Sequence, residues 1–120
     1  MSTIDDVKTF WEENPLWTGE SEHKTGSKEF FEEHRKVVIN DCFAGKIDKK
    51  IFPESKNNKS ILDLGCGPGF WVIELAKNGC ERIVAADITN NALQLTKKRC
   101  DIYGVEAEYS IVDPENWTIC

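Results

Sequence analysis

The sequence predicts an α/β fold in which short parallel strands alternate with helices over the second half of the chain. Two apolar segments have the length of buried strands, at residues 60–64 and 82–89, and each carries an acidic residue at or near its end. Helical segments follow from about Phe70 to Lys77 and from about Asn90 to Tyr103. Because crossovers between parallel strands are right-handed, this βαβαβ arrangement predicts the partial strand order 3-2-1.

The most informative segment is the first strand and the loop after it, residues 60–70. Ile61, Leu62 and Leu64 form a short unbroken apolar stretch, as expected of a parallel strand that is covered on both faces. The glycines that follow, spaced as G-x-G-x-G, let the backbone turn sharply and approach a ligand without interference from Cβ atoms. A helix that starts at Pro68 to Phe70 would direct free amide groups at that ligand. This pattern predicts a site for a nucleotide-type cofactor.

Details of the loop and of the second strand favour one cofactor over another. The dinucleotide pattern G-x-G-x-x-G needs its third glycine where this chain has Phe70. Asp87 lies 22 positions after Gly65, close to the ~20-residue offset at which a βαβ unit delivers a carboxylate to a ribose. Its two oxygens can accept hydrogen bonds from both ribose hydroxyls. Asp87 is compatible with either cofactor, whereas the missing third glycine favours S-adenosylmethionine over NAD.

These motifs resemble those of the class I S-adenosylmethionine-dependent methyltransferases, whose signature is an apolar strand, an acidic residue and G-x-G-x-G. In this chain the signature is ILDLGCGPG, and the segment from Glu108 to Trp117 is similar to the family's third strand. The resemblance implies a partial Rossmann-like, doubly wound parallel sheet of three strands. It also implies that Asp63 orients the methionine ammonium and that Asp113 and its neighbours meet the adenine. The expected cofactor-binding residues are Asp63, Gly65, Cys66, Gly67, Pro68, Gly69, Asp87, Ile88, Thr89, Asp113, Pro114 and Glu115.

The N-terminal part is similar to a subgroup of the same family. That subgroup has an aromatic-Trp pair, then Asn-Pro, then a helix that begins Gly-Ser-x-x-aromatic-aromatic-Glu-Glu. Here these are Phe10-Trp11, Asn14-Pro15 and the segment 26–33. The resemblance implies that residues 1–52 fold over the cofactor as a helical lid. Residues 53–59 then form a linker, and residues 60–120 form the cofactor-binding half.

Two interpretations apply to the aromatic side chains and the histidine of this N-terminal part. Trp11, Trp17 and Phe31 could cover the methionine end of the cofactor, where a cation–π contact to the sulfonium is physically reasonable. Aromatic residues at helical spacing are more often core residues, and the core interpretation is favoured. His34 has no partner carboxylate fixed by spacing, so a core or solvated imidazole is favoured over a general base. No catalytic residue is predicted.

The charge balance and hydropathy exclude some classes of protein. The 120 residues carry a formal net charge of −6, and no basic stripe stands out to neutralise phosphates, which argues against general nucleic-acid binding. The run Lys97-Lys98-Arg99 is interpreted as the solvated face of a helix. No stretch approaches the ~18 to 20 apolar residues that span a bilayer. Met1 to Asp6 is acidic where a secretory signal would be basic, so the expected location is cytoplasmic.

The five cysteines do not form a recognisable framework. They are odd in number and show no C-x-x-C spacing, which argues against a zinc site or a set of disulfides. Cys66 lies inside the glycine loop, where a small residue is needed for close approach of the backbone. Filling that space is therefore favoured over a nucleophilic role.

Complete members of the resembled family carry seven strands, and this sequence stops after the third. The first strand, residues 60–64, is therefore expected to have an open edge that promotes self-association. We interpret the chain as the cofactor-binding half of a methyltransferase that acts on an unidentified small-molecule acceptor, and as no competent monomeric enzyme by itself. Two alternatives remain open. They are a non-catalytic S-adenosylmethionine-binding or partner subunit completed by another chain and, less favoured, an NAD-type dinucleotide module.

Overall fold

A computed structural model describes residues 3–13, 21–52 and 60–113 of the chain. Across these ranges the elements are α1 (Ile4–Glu13), α2 (Lys28–Phe43), a short 3₁₀ helix (Lys49–Ile51), β1 (Ser60–Leu64), α3 (Phe70–Lys77), β2 (Arg82–Asp87), α4 (Asn90–Tyr103) and β3 (Glu108–Ile111). No helix within these ranges has the length and apolar character needed to cross a membrane.

The three strands form one parallel sheet with β2 at its centre. Ile61 of β1 pairs with Ile83 of β2, and Val84 of β2 pairs with Glu108 of β3. The strand order is 3-2-1, so the predicted α/β class and partial topology are confirmed. All three carboxyl ends meet at one edge of the sheet, which is where parallel α/β folds bind ligands.

The ends of the helices follow from local capping. Ser27 caps α2, because its side chain accepts a hydrogen bond from the amide of Phe30 at 3.2 Å. Thr89 caps α4 in the same way, accepting from the amide of Ala92 at 3.3 Å. The helix α4 ends at Gly104, which takes the left-handed conformation with φ +67°. The caps therefore fix the length of α4 and place its first turn beside the end of β2.

The helices α3 and α4 share one face of the sheet. Two right-handed crossovers that step in the same direction place their helices on the same side. The core between these helices and the sheet contains Cys66, Val72, Ile73, Ile83, Ala85, Leu93 and Cys100. On the opposite face of β1, Leu62 and Leu64 remain 44% and 50% exposed. The expectation that β1 is covered on both faces is therefore wrong for the part of the chain that is described.

The helix α2 lies against this α/β unit and has a small core of its own. Phe30 and Phe31 are fully buried and cluster with Leu95 of α4. Arg35 of α2 forms an ion pair with the buried Glu74 of α3. The burial of Phe31 agrees with the core interpretation of its aromatic ring. Trp17 and the side chain of Trp11, which were considered with it as a cofactor cover, lie outside the described residues.

Candidate functional site

The glycine loop joins the end of β1 to the start of α3. The amides of Gly65 and Cys66 both donate to the carbonyl oxygen of Ala86 in β2, at 2.8 and 3.0 Å. The amide of Gly69 then donates to the carbonyl of Cys66 at 2.9 Å. All three loop glycines have positive φ angles, of +76°, +52° and +86° along the chain. Other residues rarely adopt this conformation, so the loop shape depends on glycine at these positions.

The helix α4 packs against the glycine loop through Thr96. The hydroxyl of Thr96 donates to the carbonyl oxygen of Gly67 at 2.8 Å. A Cβ atom on Gly69 would lie 3.0 Å from Oγ1, 3.1 Å from Cγ2 and 3.2 Å from Cα of Thr96. Since the last of these atoms is backbone, a side chain at position 69 would push the loop away from α4. Gly69 thus allows close contact between the loop and this helix.

Asp87 connects the end of β2 to the glycine loop. Its Oδ2 accepts a hydrogen bond from the amide of Gly67 at 3.1 Å. Its Oδ1 accepts from the amide and the hydroxyl of Thr89, at 3.1 and 3.3 Å. The sequence predicted that Asp87 and the loop belong to one site, and the structure brings them into direct contact.

Asp63, near the end of β1, is the second carboxylate of the site. Its Oδ2 is buried and has no hydrogen-bond partner within the described part of the chain. Burial raises the pKa of the Asp63 carboxyl above its ordinary value, and the negative charge of Asp87 raises it further. A buried carboxylate oxygen without a donor is unfavourable, so this atom is poised to accept from a ligand. A cationic ligand group would also relieve the repulsion between the two carboxylates.

Cys66 is buried within the loop and is protonated at neutral pH. Burial is the main reason that its pKa is raised to about 11, although the hydroxyl of Thr96, 3.4 Å from its sulfur, acts in the other direction. The thiolate is the nucleophilic form of cysteine. The burial and raised pKa of Cys66 agree with a space-filling role under the loop and disfavour a nucleophilic one.

The remaining expected residues are distributed around Asp87. Ile88 is partly buried, and Thr89, the N-cap of α4, is buried. The amide of Val112 donates to the carbonyl of Asp87 at 2.9 Å, which brings the chain after β3 to this edge of the sheet. The next residue, Asp113, is exposed. Pro114 and Glu115, expected to lie near the adenine with Asp113, fall outside the described residues.

Sequence reasoning missed one residue that touches the loop. Arg99 was interpreted as part of a solvated run with Lys97 and Lys98, but it is 1% exposed and donates to the carbonyl oxygen of Pro68 at 3.3 Å. The two lysines are exposed, so the interpretation is wrong for Arg99 alone. The helical period of α4 indicates this position, because Arg99 follows Thr96 by three residues and therefore lies on the same helix face.

Comparison with known proteins identifies the part of the chain that carries this site. A family model described as a methyltransferase domain matches residues 61–119. These residues contain the glycine loop and all the strand-end acids discussed above, from Asp63 to Glu115. The match therefore covers the same segment that the geometry singles out.

Curated relatives match the same half of the chain. A ribosomal protein L11 methyltransferase of Alteromonas mediterranea is 38% identical over 58 residues, which is 48% of this chain and 20% of the relative. The protein of the same name from Legionella pneumophila (strain Lens) is 41% identical over 59 residues, with 48% and 20% covered. That from Shewanella pealeana is 33% identical over 60 residues, with 50% and 20% covered. The chain spans about a fifth of the length of these relatives over the matched segment.

A solved structure supports the fold. The PH0226 protein of Pyrococcus horikoshii OT3 superimposes with a TM-score of 0.50 at 15% sequence identity, covering 92% of this chain and 45% of that one. At this identity the likeness concerns the fold alone. The family match, together with the sheet order and the glycine loop, supports a class I S-adenosylmethionine-dependent methyltransferase domain over residues 61–119.

Proposed function

We propose that this chain binds S-adenosylmethionine at the carboxyl edge of its sheet and forms the cofactor-binding part of a methyltransferase. The observation that carries the proposal is the buried Oδ2 of Asp63, which has no partner among the described residues. The methionine ammonium of the cofactor would supply both the missing donor and a positive charge next to Asp63 and Asp87. A charge-assisted hydrogen bond of this kind is among the stronger ones in proteins.

The same carboxylates disfavour the NAD alternative. A dinucleotide places its pyrophosphate at the glycine loop and the start of the following helix. In this chain Asp63 and Asp87 both adjoin that loop, and Asp87 already bonds the amide of Gly67. The pyrophosphate would therefore meet two negative groups, whereas S-adenosylmethionine carries an ammonium and a sulfonium. The electrostatics of the site support the smaller cofactor.

The other residues of the site would position the adenosine. We assign the ribose hydroxyls to Asp87, which lies beside Ile88 and the α4 cap at Thr89. The loop from Gly65 to Gly69 would pass under the ligand, because its glycines leave no Cβ atoms in the way. We assign the adenine edge to residues 113–115, the segment that follows β3.

S-adenosylmethionine supplies an activated methyl group, which an in-line displacement passes to a nucleophile. The protein then needs mainly to hold donor and acceptor in line and to exclude water. The side chains at this loop are carboxylates and a protonated thiol, so the nucleophile belongs to the acceptor. We propose a small-molecule acceptor and a cytoplasmic location. The name of the curated relatives favours a protein acceptor as the second candidate.

A non-catalytic role remains the second candidate function. A cofactor-binding subunit completed by another chain would use the same site. Assays of S-adenosylhomocysteine release over an acceptor panel, with and without candidate partner chains, separate the two functions. Turnover that requires the partner supports the subunit role.

Calorimetry with three ligands tests the cofactor assignment. S-adenosylhomocysteine has the amino acid end, methylthioadenosine lacks it, and NAD carries a pyrophosphate in its place. We expect S-adenosylhomocysteine to bind more tightly than either. Tighter binding of NAD would overturn the assignment, and equal affinities for the first two ligands would remove Asp63 from the ammonium site.

A further inference from the structure

Arg99 is a buried cation that joins the N-terminal helix α2 to the glycine loop. Its Nη1 donates to the carbonyl oxygen of Pro68 at 3.3 Å and lies 3.1 Å from Nδ1 of His34. Its Nη2 donates to the carbonyl of Phe31 at 3.4 Å. The guanidinium carbon lies 5.1 Å from the ring centre of Phe31 and 5.9 Å from that of Phe70. One side chain of α4 thus contacts α2, the loop and the start of α3.

Arg99 is charged and is hydrogen-bonded to neutral groups. Burial lowers the pKa of Arg99 to about 10, while the nearby carboxylate of Glu74 acts to raise it, so Arg99 remains protonated at neutral pH. Its hydrogen-bond acceptors within the described residues are all neutral, and its Nε has none. Burial and the charge of Arg99 lower the pKa of His34 to about 4, so the imidazole is neutral and its Nδ1 can accept. Removal of the His34 acceptor would leave one N–H group of this buried cation without a partner, which is unfavourable.

The second contact of α4 with the loop lies one helical turn earlier. Thr96 donates to the carbonyl oxygen of Gly67, and Arg99 donates to that of Pro68. Two successive carbonyls of the loop are therefore fixed by side chains three residues apart on one helix face. Of these two donors, Arg99 alone also contacts α2. Arg99 is therefore a hydrogen-bonded route from α2 to the loop, in addition to the direct contacts of α2 with α3 between Arg35 and Glu74 and between His34 and Phe70.

We propose that Arg99 is a positioning residue that couples the docking of α2 to the conformation of the glycine loop. Cofactor binding and the docking of α2 then stabilise one another. Coupling between two such equilibria is reciprocal, so a ligand that selects one loop conformation strengthens α2 docking by the same factor. The ligand half of the proposal rests on the proposed function, whereas the coupling of α2 to the loop does not.

A double-mutant cycle in the ligand-free protein tests the coupling. Amide hydrogen exchange is followed at Gly67 and Gly69 in wild type, His34→Leu, Arg99→Met and the double variant. We expect His34→Leu to speed exchange in the loop by roughly 2- to 30-fold, the range of coupling seen along contact networks. In the Arg99→Met background the same change should have a clearly smaller effect on the loop, limited to the loss of the ring contact between His34 and Phe70. An equal effect of His34→Leu in both backgrounds would overturn the proposal.

Two further variants separate positioning from a general loss of stability. Lys97→Met removes an exposed cation from the same helix and should leave loop exchange unchanged. His34→Asn keeps an acceptor near the position of Nδ1 and should retain the coupling that His34→Leu loses. If Arg99→Met does not fold, Arg99→Gln replaces it in the cycle, because glutamine removes the charge and its shorter side chain cannot bridge His34 and the carbonyl of Pro68 as Nη1 does. If His34→Asn loses as much coupling as His34→Leu does, the hydrogen bond between Arg99 and position 34 does not carry the coupling.

S-adenosylhomocysteine provides the second arm of the test. At saturation it should slow amide exchange in α2 in the wild type and in Lys97→Met, but not in Arg99→Met. Slowing of the same size in Arg99→Met would contradict the coupling. If S-adenosylhomocysteine binds to none of these proteins, the proposed function fails, and the ligand-free cycle still decides whether Arg99 couples α2 to the loop.

Discussion

The carboxylate of Asp87 accepts a hydrogen bond from the amide of Gly67, 20 residues earlier in the chain, at 3.1 Å. Its other oxygen accepts two hydrogen bonds from Thr89. An ionised carboxylate offers about four acceptor positions, so Asp87 can hold the loop and still accept from a ligand hydroxyl. The residue assigned to the ribose is therefore also part of the loop's support.

Asp87→Ala should weaken S-adenosylhomocysteine binding far more than Cys66→Ala does. Loss of a hydrogen bond to a charged group costs roughly 1.5 to 3 kcal/mol, about 10- to 150-fold in affinity. Cys66 is a protonated thiol that fills space, so its truncation removes no such bond. Calorimetry measures both affinities, well below the midpoint of thermal unfolding of each variant. An unchanged affinity in Asp87→Ala would remove Asp87 from the ribose site.

The sequence predicted the helices well, because their limits depend on nearby residues. Thr89 and Gly104 define α4 by a side-chain cap and a left-handed glycine, and both effects are local. The exposure of Leu62 depends instead on which face of the sheet carries helices, and that is a property of the whole topology. Prediction of the role of Arg99 requires both the helical period of α4 and the position of α2 against α4, and the second of these is not a local property of the sequence.

Gly69→Ala should destabilise the protein more than Gly104→Ala. Both glycines have positive φ angles, +86° and +67°, so alanine at either position costs about 1–2 kcal/mol in backbone strain. A Cβ atom at position 69 would also lie 3.2 Å from Cα of Thr96, whereas position 104 has no atom within 4 Å. We expect an additional loss of about 1–3 kcal/mol for Gly69→Ala. Urea unfolding of the two variants measures the difference, and equal losses would show that contact with α4 does not require glycine.

Asp63→Asn should stabilise the ligand-free protein while it weakens S-adenosylhomocysteine binding. Burial, and then the charge of Asp87, raise the pKa of Asp63 above 3.8, so the folded protein holds this proton more tightly than the unfolded chain. Its contribution to stability is full below the unfolded pKa and is lost as the pH rises through the folded pKa. The advantage of Asp63→Asn in free energy of unfolding should therefore grow from about pH 3 towards pH 7. An advantage that stays constant with pH would contradict this account of Asp63.

Acid should destabilise the wild type through His34. Burial, and then the charge of Arg99, lower the pKa of His34 from 6.5 to about 4. Between these two pH values the unfolded chain therefore binds a proton at His34 that the folded protein does not bind. The stabilisation is present above pH 6.5 and is lost as the pH falls towards 4. The slope approaches ~1.4 kcal/mol per pH unit. His34→Asn should show a shallower slope in urea unfolding, with His23→Asn as the control for removal of a surface histidine. Parallel curves for wild type and His34→Asn would mean that His34 is not the group responsible.

Self-association should depend on β1. This strand has a neighbour on one side only among the described strands, and its Leu62 and Leu64 side chains are about half exposed. An open strand edge beside an apolar face favours pairing with another chain. Leu62→Lys should therefore lower the mass that light scattering measures after size-exclusion chromatography. Ile102→Lys is the matched control, because Ile102 is similarly exposed but lies on α4 and not on β1. A wild type that stays monomeric at all concentrations, or equal effects of the two lysines, would show that β1 is not the associating surface.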